Sequence, residues 1–430
     1  MMKLYLLLFL FFSSLSFASV NKMDHINEWE FDKLSNFISY NGGDINDVDF
    51  YVQGENVNIT IRDSLSELND GIELLTSKVS IGRKSRYFYS LKNSVVVNSD
   101  GNIVLLNINI NKPVSDDFFS QFKYLTYLSV SVSGVAVKLN LESNFFLDEI
   151  YINEGDISQL VLPKSGTIKL IGTLSGSVFK FVNLSHQKNL NALMVNYDAK
   201  NISDINGNDT VSFLRLLGYG KVNLNPSTLK NLQYFNVIGD ENFDVSLLEN
   251  LEKIKIIYLG DYIVVEGESF APSLEVLRFG GVVNKRMPNL SNQKNLKELF
   301  VIGTGIESIS GLDHSINLEK LVFIDNPINN IQGVDKLIDL RKLEIKGSNI
   351  QNIENIQNLN SLEYLYLPYN KIRVVKDLNL PPSLKSLRLY GNDIERIDLL
   401  QLKDLPDRSV MIDTDPEFEN NMPSLRRKIL

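Results

Sequence analysis

The feature that most constrains this chain is a 22-residue repeat in its C-terminal half. Five segments of the form L-x-x-L-x-L-x-x-N-x-I-x-x-I begin at a constant interval, at Leu296, Leu318, Leu340, Leu362 and Leu384. A period of this length is typical of a solenoid, in which each repeat forms one strand and one return segment. Because a single unit cannot bury its apolar side alone, the repeats must stack on one another.

The spacing of apolar residues within a repeat predicts how it folds. In the unit that begins at Leu318, the residues predicted to point inward are Leu318, Leu321, Phe323, Ile328, Ile331 and Val334. The L-x-x-L-x-L part predicts a short strand stacked parallel on its neighbours, while the remainder returns along the outside. Asn326, Asn370 and Asn392 occupy the same position after their strands, and we expect their side chains to bond to backbone groups there.

Looser copies of the repeat extend upstream. Their predicted starts, which are unevenly spaced, are Leu125, Leu147, Ser165, Leu190, Val211, Leu232, Leu251 and Leu274. The predicted fold class is therefore an α/β solenoid, a curved stack with a parallel sheet on its concave face and short helical or irregular convex segments. We assign leucine-rich repeats to residues 101–397, with the strongest pattern at 296–397.

Both ends of such a stack need covering, because an exposed terminal strand invites aggregation. Residues 19–100 are predicted to form an N-terminal cap region, and residues 398–430 a C-terminal cap and tail. The N-terminal cap includes a predicted helix with an apolar side made of Ile26, Trp29, Leu34, Phe37 and Ile38. At the other end, Val410 and Ile412 are predicted to lie in a last strand.

The segment 1–18 is typical of a secretory signal peptide. Lys3 precedes an apolar run from Leu4 to Phe12, and small residues at Ser16 and Ala18 suit cleavage after Ala18. The run is shorter than the roughly 20 residues that a membrane-spanning helix needs. We therefore expect an exported protein, secreted or held at the cell surface or in a periplasm, with no membrane span in the mature form.

Composition excludes several kinds of chemistry. The chain has no cysteine, which excludes disulfides, thiolate metal sites and cysteine nucleophiles, and a cysteine-free exported repeat protein suggests a bacterial source. Its formal charge of -9, or -10 without Lys3, disfavours binding to nucleic acid. The three histidines and the glycines match no catalytic, metal-binding or nucleotide-binding motif, so we predict no enzyme activity, cofactor or metal.

The segments LEYLYLPYNKIRVV and LKSLRLYGNDIERI resemble the 22-residue class of leucine-rich repeats. Together with the signal peptide, they make the chain resemble bacterial proteins of the internalin type. That resemblance implies a curved solenoid that binds proteins on the concave side of its sheet, often a host receptor. No LPxTG sorting motif and no immunoglobulin-like module follow the repeats, so the resemblance does not extend to wall anchoring.

We number the positions of a repeat from the first leucine of its pattern, so that Leu318 is position 1 of its repeat. Side chains alternate along a strand, so positions 3, 5 and 7 of each repeat are predicted to face solvent on the concave side. From the repeat at Val211 to that at Leu384, the predicted cations are Arg215, Lys253, Lys255, Arg278, Lys320, Lys342, Lys346 and Arg388. Only Glu298 and Glu344 oppose them, which gives a net charge near +6. The predicted apolar and aromatic residues on this face are Phe300, Ile302, Val322, Ile324, Tyr364, Tyr366 and Tyr390.

A positively charged, partly apolar surface on an acidic protein predicts an interface for a protein with an acidic and apolar surface. Taken singly, the lysines also suit a merely solvated surface, and Ile302 and Ile324 suit a ladder that stabilises the sheet. Two other functions stay open on the sequence alone. One is binding of a carbohydrate or envelope polymer, and the other is a purely structural solenoid without a ligand.

Overall fold

A computed structural model describes residues 27–42, 45–52, 57–60, 78–81, 84–87, 94–173, 178–179, 183–196, 205–217, 225–239, 243–260, 262–376, 378–397 and 410–411. The predicted signal peptide and most of the predicted C-terminal tail lie outside these ranges. The chain divides into two compact units, residues 1–197 and 198–430. Each unit is built mainly from parallel strands with little helix.

The first unit begins with helix α1 (Glu28–Tyr40). The Asn27 side chain caps it by accepting a hydrogen bond of 3.1 Å from the backbone N–H of Trp29. The buried residues of α1 are Glu30, Leu34, Phe37 and Ile38. Trp29, which was predicted to pack beside them, is half exposed. The Glu30 carboxylate accepts a 2.7 Å hydrogen bond from the backbone N–H of Ile103, which ties the helix to the first repeat strand.

The strands of the first unit are β1 (Asp49–Val52), β2 (Val57–Thr60), β3 (Lys78–Ile81), β4 (Lys84–Tyr87), β5 (Ser94–Val97), β6 (Ile103–Ile110), β7 (Tyr127–Val132), β8 (Val137–Asn140), β9 (Glu149–Glu154), β10 (Asp156–Val161), β11 (Leu170–Thr173), β12 (Val178–Phe179) and β13 (Ala192–Asn196). The main sheet runs in the order β1, β5, β6, β7, β9, β11, β13. Within the described strands of this sheet, the β5–β6 pairing is antiparallel and the others are parallel. A parallel sheet joins β8, β10 and β12, and an antiparallel one joins β2, β3 and β4.

The strands of the second unit are β14 (Phe213–Leu217), β15 (Tyr234–Ile238), β16 (Ile256–Leu259), β17 (Val276–Gly280), β18 (Glu298–Ile302), β19 (Lys320–Ile324), β20 (Lys342–Lys346), β21 (Tyr364–Tyr366), β22 (Val374–Val375), β23 (Ser386–Arg388), β24 (Arg396–Ile397) and β25 (Val410–Met411). Strands β14 to β21, then β23 and β25, pair in parallel in chain order. The last pairing places Val410 beside Leu387, as expected for a closing strand. Ile412 lies outside the described residues.

The repeat is more regular than the sequence alignment predicted. Partner residues on neighbouring repeat strands keep a nearly constant separation along the chain from β6 to β13 and from β14 to β23. The predicted starts at Ser165 and Leu251 are each three residues early, because the register places the equivalent residues at Ile168 and Ile254. Leu251 and Ile254 are both buried, so apolar character alone could not distinguish them.

The core follows the apolar pattern of the repeat. All six residues predicted to point inward from the unit at Leu318 are buried, each at most 2% exposed. A fully buried leucine or isoleucine side chain contributes roughly 1.5–3 kcal/mol. Because each side chain rests on equivalent ones in the repeats on either side, this contribution depends on the stack as a whole.

At position 8, just after the strand, the described backbone of the second unit adopts a left-handed conformation. Glycine occupies this position in most repeats, for example at Gly303 and Gly347, whose φ angles are 61° and 63°. Asp325 and Tyr369 occupy the same position with φ of 55°. A residue with a side chain costs roughly 1–2 kcal/mol in this conformation, so Tyr369 makes the fold less stable than a glycine at the same position would.

The asparagine that follows the strand closes the turn, as predicted. Asn370 donates hydrogen bonds from its side-chain amide to the carbonyls of Ile345 and Leu367, and its oxygen accepts one from the N–H of Ile350. Asn326 and Asn392 make equivalent bonds in their own repeats. Each asparagine therefore joins two successive repeats through buried backbone groups.

We predict that Asn370→Ala destabilises the second unit. The change leaves a backbone N–H and carbonyls without side-chain partners, and an unsatisfied buried group costs roughly 1–3 kcal/mol. The midpoint of urea denaturation, followed by circular dichroism, measures the loss. Asn352→Ala is the control, because Asn352 is exposed. Equal midpoints for the two variants would contradict the role given to Asn370.

Candidate functional site

The candidate site is one side of the sheet in the second unit, formed by positions 3, 5 and 7 of the repeats. We call this surface the strand face. Positions 4 and 6 carry the buried residues, such as Leu343 and Ile345 in β20, whereas Lys342, Glu344 and Lys346 between them are partly exposed. The parallel register aligns equivalent positions of neighbouring strands, so each position forms a row across the sheet.

Twelve of the fourteen predicted site residues belong to the strand face. They are Arg215, Arg278, Phe300, Ile302, Lys320, Val322, Ile324, Lys342, Tyr364, Tyr366, Arg388 and, two residues beyond the end of β23, Tyr390. Lys346, which was counted in the charge of the face, also lies on it. That these residues contact a partner stays a prediction.

Lys253 and Lys255 do not lie on the strand face, so their predicted placement is wrong. The register pairs Asn236 of β15 with Tyr258 of β16, which makes Tyr258 the position-5 residue of this repeat. Lys255 precedes the strand and forms an ion pair of 2.6 Å with Glu275. The early start at Leu251 caused the error, because it moved every assignment in this repeat by three residues.

Val322 belongs to the face by register but is only 2% exposed. It lies between Phe300 and Glu344 in its row, and both have longer side chains. The prediction that Val322 is part of an exposed apolar surface is therefore wrong. Ile302 and Ile324 in the next row are partly exposed, so the apolar patch is smaller than expected.

The position-5 row contains three aromatic and four charged side chains. In strand order from β14 to β23 it consists of Arg215, Asn236, Tyr258, Arg278, Phe300, Val322, Glu344, Tyr366 and Arg388. The Arg388 guanidinium lies 4.3 Å from the centre of the Tyr366 ring, and the Lys342 ammonium lies 5.1 Å from the same ring. Cations held against aromatic faces in this way are positioned before any partner arrives.

Ion pairs neutralise the middle of the strand face. Lys320 pairs with Glu298 at 3.3 Å, and Lys342 pairs with Glu344 at 2.8 Å. With Lys253 and Lys255 removed, six cations and two carboxylates remain on the face. Among the described residues, four of these cations have no ion pair: Arg215, Arg278, Lys346 and Arg388. Arg215, Arg278 and Arg388 thus lie outside the paired strands β18 to β20, whereas Lys346 is on β20 itself.

A polar cluster occupies the face at β14 to β17. The Tyr234 ring stacks on Phe213 with centroids 4.0 Å apart, and its hydroxyl accepts a 3.3 Å hydrogen bond from Asn236. Burial raises the pKa of Tyr234 to about 12, with a contribution from Tyr258, against the lowering effects of Asn236 and of the two arginines, Arg215 and Arg278. Burial also lowers the pKa of Arg215. Two guanidinium groups therefore act on one largely desolvated hydroxyl.

A second row of charges lies at position 2, just before each strand, and the sequence reading missed it. We call it the charged row; in strand order it consists of Lys255, Glu275, Lys297, Glu319, Arg341, Glu363 and Lys385. Glu275 lies between Lys255 at 2.6 Å and Lys297 at 2.8 Å. Burial alone would raise the pKa of Glu275, but the two lysines outweigh it and lower the pKa. A groove of about 510 Å³ runs beside this row.

Other residues missed by the sequence reading are Tyr258, Tyr234, Asn236 and Tyr369. A correct repeat start would have placed Tyr258 on the strand face. Tyr234 and Asn236 already fall at positions 3 and 5 of the repeat predicted at Leu232, but they are neither charged nor among the apolar residues that the prediction selected. Tyr369 is half exposed and meets Tyr390 edge to face at 5.4 Å. Its signal in the sequence is a tyrosine at the strand-end position that glycine occupies in most repeats.

Within the described ranges, no group of three histidine, aspartate or glutamate side chains is arranged to hold a metal ion. Nor does any helix in the same ranges combine the length and apolarity needed to cross a membrane. The polar groups of the strand face are arginines, lysines, tyrosines and an asparagine, with two glutamates in its middle. This set can bind anions and polar groups through hydrogen bonds and charge.

Parallel strands at a nearly constant period, a leucine core and asparagine-closed turns define the fold. The chain is a leucine-rich-repeat solenoid. The structure of Toll in complex with Spätzle, from Drosophila, is similar at 13% identity and a TM-score of 0.51, over 74% of this chain and 54% of that one. At this identity the likeness shows the fold alone.

Two bacterial structures are also similar to this solenoid. An internalin from Listeria monocytogenes has 18% identity and a TM-score of 0.49, over 73% of this chain and 87% of the other. A leucine-rich-repeat protein from Leptospira interrogans has 18% identity and a TM-score of 0.48, over 75% and 99%. The sequence matches no protein-family model and no curated protein sequence.

We predict that the stability of the solenoid depends on pH through Tyr234. Its pKa in the folded state is about 12 against an ordinary value of 10, so the folded state holds the proton more tightly than the unfolded state. This contribution is complete below pH 10 and is lost as the pH rises towards 12. Tyr234→Phe keeps the ring and removes the proton, so the wild type should lose more stability than this variant over that interval. If urea denaturation shows that the free energies of unfolding of the wild type and of Tyr234→Phe fall equally over this interval, the prediction is wrong.

Proposed function

We propose that this protein is a non-enzymatic recognition protein that binds another protein through the strand face of its second unit. The observation that carries the proposal is the position-5 row, which contains three aromatic rings, Tyr258, Phe300 and Tyr366, and three arginines without an ion pair among the described residues, Arg215, Arg278 and Arg388. Arginine and tyrosine are the residue types that most often dominate binding energy at protein interfaces. Side chains already held against one another lose little conformational freedom on binding.

The charges of the strand face specify the partner. Unpaired cations at both ends of the face, on a chain with a formal charge of -9, favour an acidic partner surface. Partly exposed Ile302 and Ile324 favour an apolar patch opposite the middle of the face. We expect this surface on a host protein, reached after export through the predicted signal peptide. The Toll structure, in complex with Spätzle, supports the idea that a solenoid of this kind carries a protein ligand.

We predict that the combined substitutions Phe300→Ala, Tyr366→Ala and Arg388→Ala abolish partner binding. Residues of this kind at an interface centre cost about 2 kcal/mol or more each when truncated, so the triple variant should lose well over 100-fold in affinity. The measurement is capture from host-cell surface extract and from bacterial envelope extract, followed by the affinity for the purified captured protein. Circular dichroism checks that the variant stays folded.

A matched control carries Ile316→Ala, Ile338→Ala and Arg286→Ala. These three side chains are exposed and lie off the strand face. Capture of one protein by the wild type and the control, but not by the triple variant, would support the proposal. Equal capture by all three would refute it. Retention of an anionic polymer that salt removes, without any captured protein, would favour carbohydrate binding instead.

A further inference from the structure

The strand face from β14 to β17 contains polar groups that the fold leaves unused. Among the described residues, the Nε of Arg215 has no hydrogen-bond partner, and it is inaccessible to solvent. The Oδ1 of Asn236 is also inaccessible to solvent and has no partner in the same part of the chain, and Asn236 as a whole is only 6% exposed. If the Asn236 amide is turned over, its oxygen faces the Tyr234 hydroxyl and its nitrogen loses its partner. In either orientation one end of this buried amide is unsatisfied.

Unsatisfied buried groups are costly, and most proteins avoid them. A guanidinium without an anion in a desolvated place is costlier still. Arg215 on β14 therefore carries a partly desolvated charge with no ion pair among the described residues, and the register places it beside Asn236 on β15. Neither Arg215 nor Asn236 closes a turn or fills the core of the solenoid. The asparagines and leucines described above do so.

Arg278 brings a second guanidinium to the same cluster. It leans over Tyr258 with 5.8 Å between the guanidinium carbon and the ring centre, and Tyr258 meets Tyr234 at 5.6 Å. Arg215 on β14 and Arg278 on β17 lie on opposite sides of β15, the strand that carries Tyr234, and both lower the pKa of Tyr234. From β14 to β17 positions 3, 5 and 7 carry no carboxylate, unlike the neutralised middle of the face.

The surroundings of the cluster suit a polypeptide. Position 7 is glycine in two successive repeats, Gly260 and Gly280, and a Cβ at Gly260 would lie only 3.0 Å from Ile238, so Ile238 packs against the backbone there. Ile238 is partly exposed, and so are four apolar residues that follow β16 and β17: Tyr262, Val264, Val282 and Val283. An acidic side chain on a backbone with apolar neighbours matches all of these features, whereas an inorganic anion matches only the arginines.

We propose that this cluster is a carboxylate-binding subsite for an acidic segment of the protein partner. An aspartate or glutamate carboxylate of that segment accepts hydrogen bonds from Arg215 and Arg278. The apolar residues of the segment cover Ile238 and Val282. This assignment rests on the proposed protein-binding role of the strand face.

The test uses a short fluorescent peptide of alternating glutamate and valine. The wild type should bind it, and a matched glutamine–valine peptide should bind at least ~10-fold more weakly, because charge-assisted hydrogen bonds are about twice as strong as neutral ones. Arg278→Gln and Arg215→Gln should each weaken binding ~10-fold or more. The double variant should lose less than the product of the two, since both contact one carboxylate. Arg286→Gln, an exposed arginine off the face, is the control.

A second measurement separates binding from structural roles. Arg215→Met should raise the urea midpoint of the free protein while it weakens peptide binding, because it removes a desolvated charge without a partner. A lowered midpoint would show that Arg215 supports the fold, and would overturn its assignment. Binding of polygalacturonate through the same arginines, without binding of the glutamate peptide, would overturn the acidic segment as occupant.

The outcomes distinguish this subsite from the broader proposal. If the triple variant of Phe300, Tyr366 and Arg388 loses a protein partner while Arg215 and Arg278 variants keep it, the strand face binds protein and the subsite is refuted. If the glutamate peptide binds through both arginines but no protein is ever captured, the subsite stands and the proposed function fails. Failure of the glutamate peptide to bind the wild type refutes the subsite directly.

Discussion

The structure depends on the fact that no repeat can bury its own leucines. Leu321, Leu343 and Leu365 occupy the same position in successive strands, and all are fully buried. Each covers and is covered by its neighbours, so the apolar area removed from water grows with every unit added. A repeat in the middle of the stack cannot be altered without exposing the repeats on both sides. This dependence selects the near-constant period of the chain.

The stacked repeats use few residues of the strand face to close turns or to fill the core. Turns are closed by residues such as Asn370 and Asn392, and the core is filled from positions 4 and 6. The charged row before the strands pairs its own charges along the stack, as Lys385 does with Glu363 at 2.6 Å. Exposed pairs of this kind contribute little each, about 0–1 kcal/mol, but they prevent like charges from meeting across neighbouring repeats. Positions 3 and 5 then carry mostly partly exposed residues, apart from buried ones such as Phe213, Tyr234 and Val322.

The sequence was sufficient to predict the fold where the period is strict. From Leu296 onward, alignment gave the correct strands, inward residues and asparagine turns. It failed at Leu251, because Leu251 and Ile254 are both buried and three residues apart, and only strand pairing shows which one begins the repeat. That error placed two lysines on the face and hid Tyr258. The burial of Val322 could not be predicted either, since it depends on how far Phe300 and Glu344 extend over it.

Charge on the strand face is arranged by position as well as by sign. Lys320 and Lys342 have carboxylates within reach and are neutralised, whereas Arg215 and Arg278 have aromatic and amide neighbours and no acid. A uniformly basic face would attract any acidic surface in any register. A face with a neutral, apolar middle and unpaired arginines towards its ends binds tightly only to a partner whose acidic and apolar groups have matching spacing. A partly desolvated charge without a partner costs stability in the free protein, so Arg215 does not serve folding, and the proposed recognition role gives its position on β14 a physical reason.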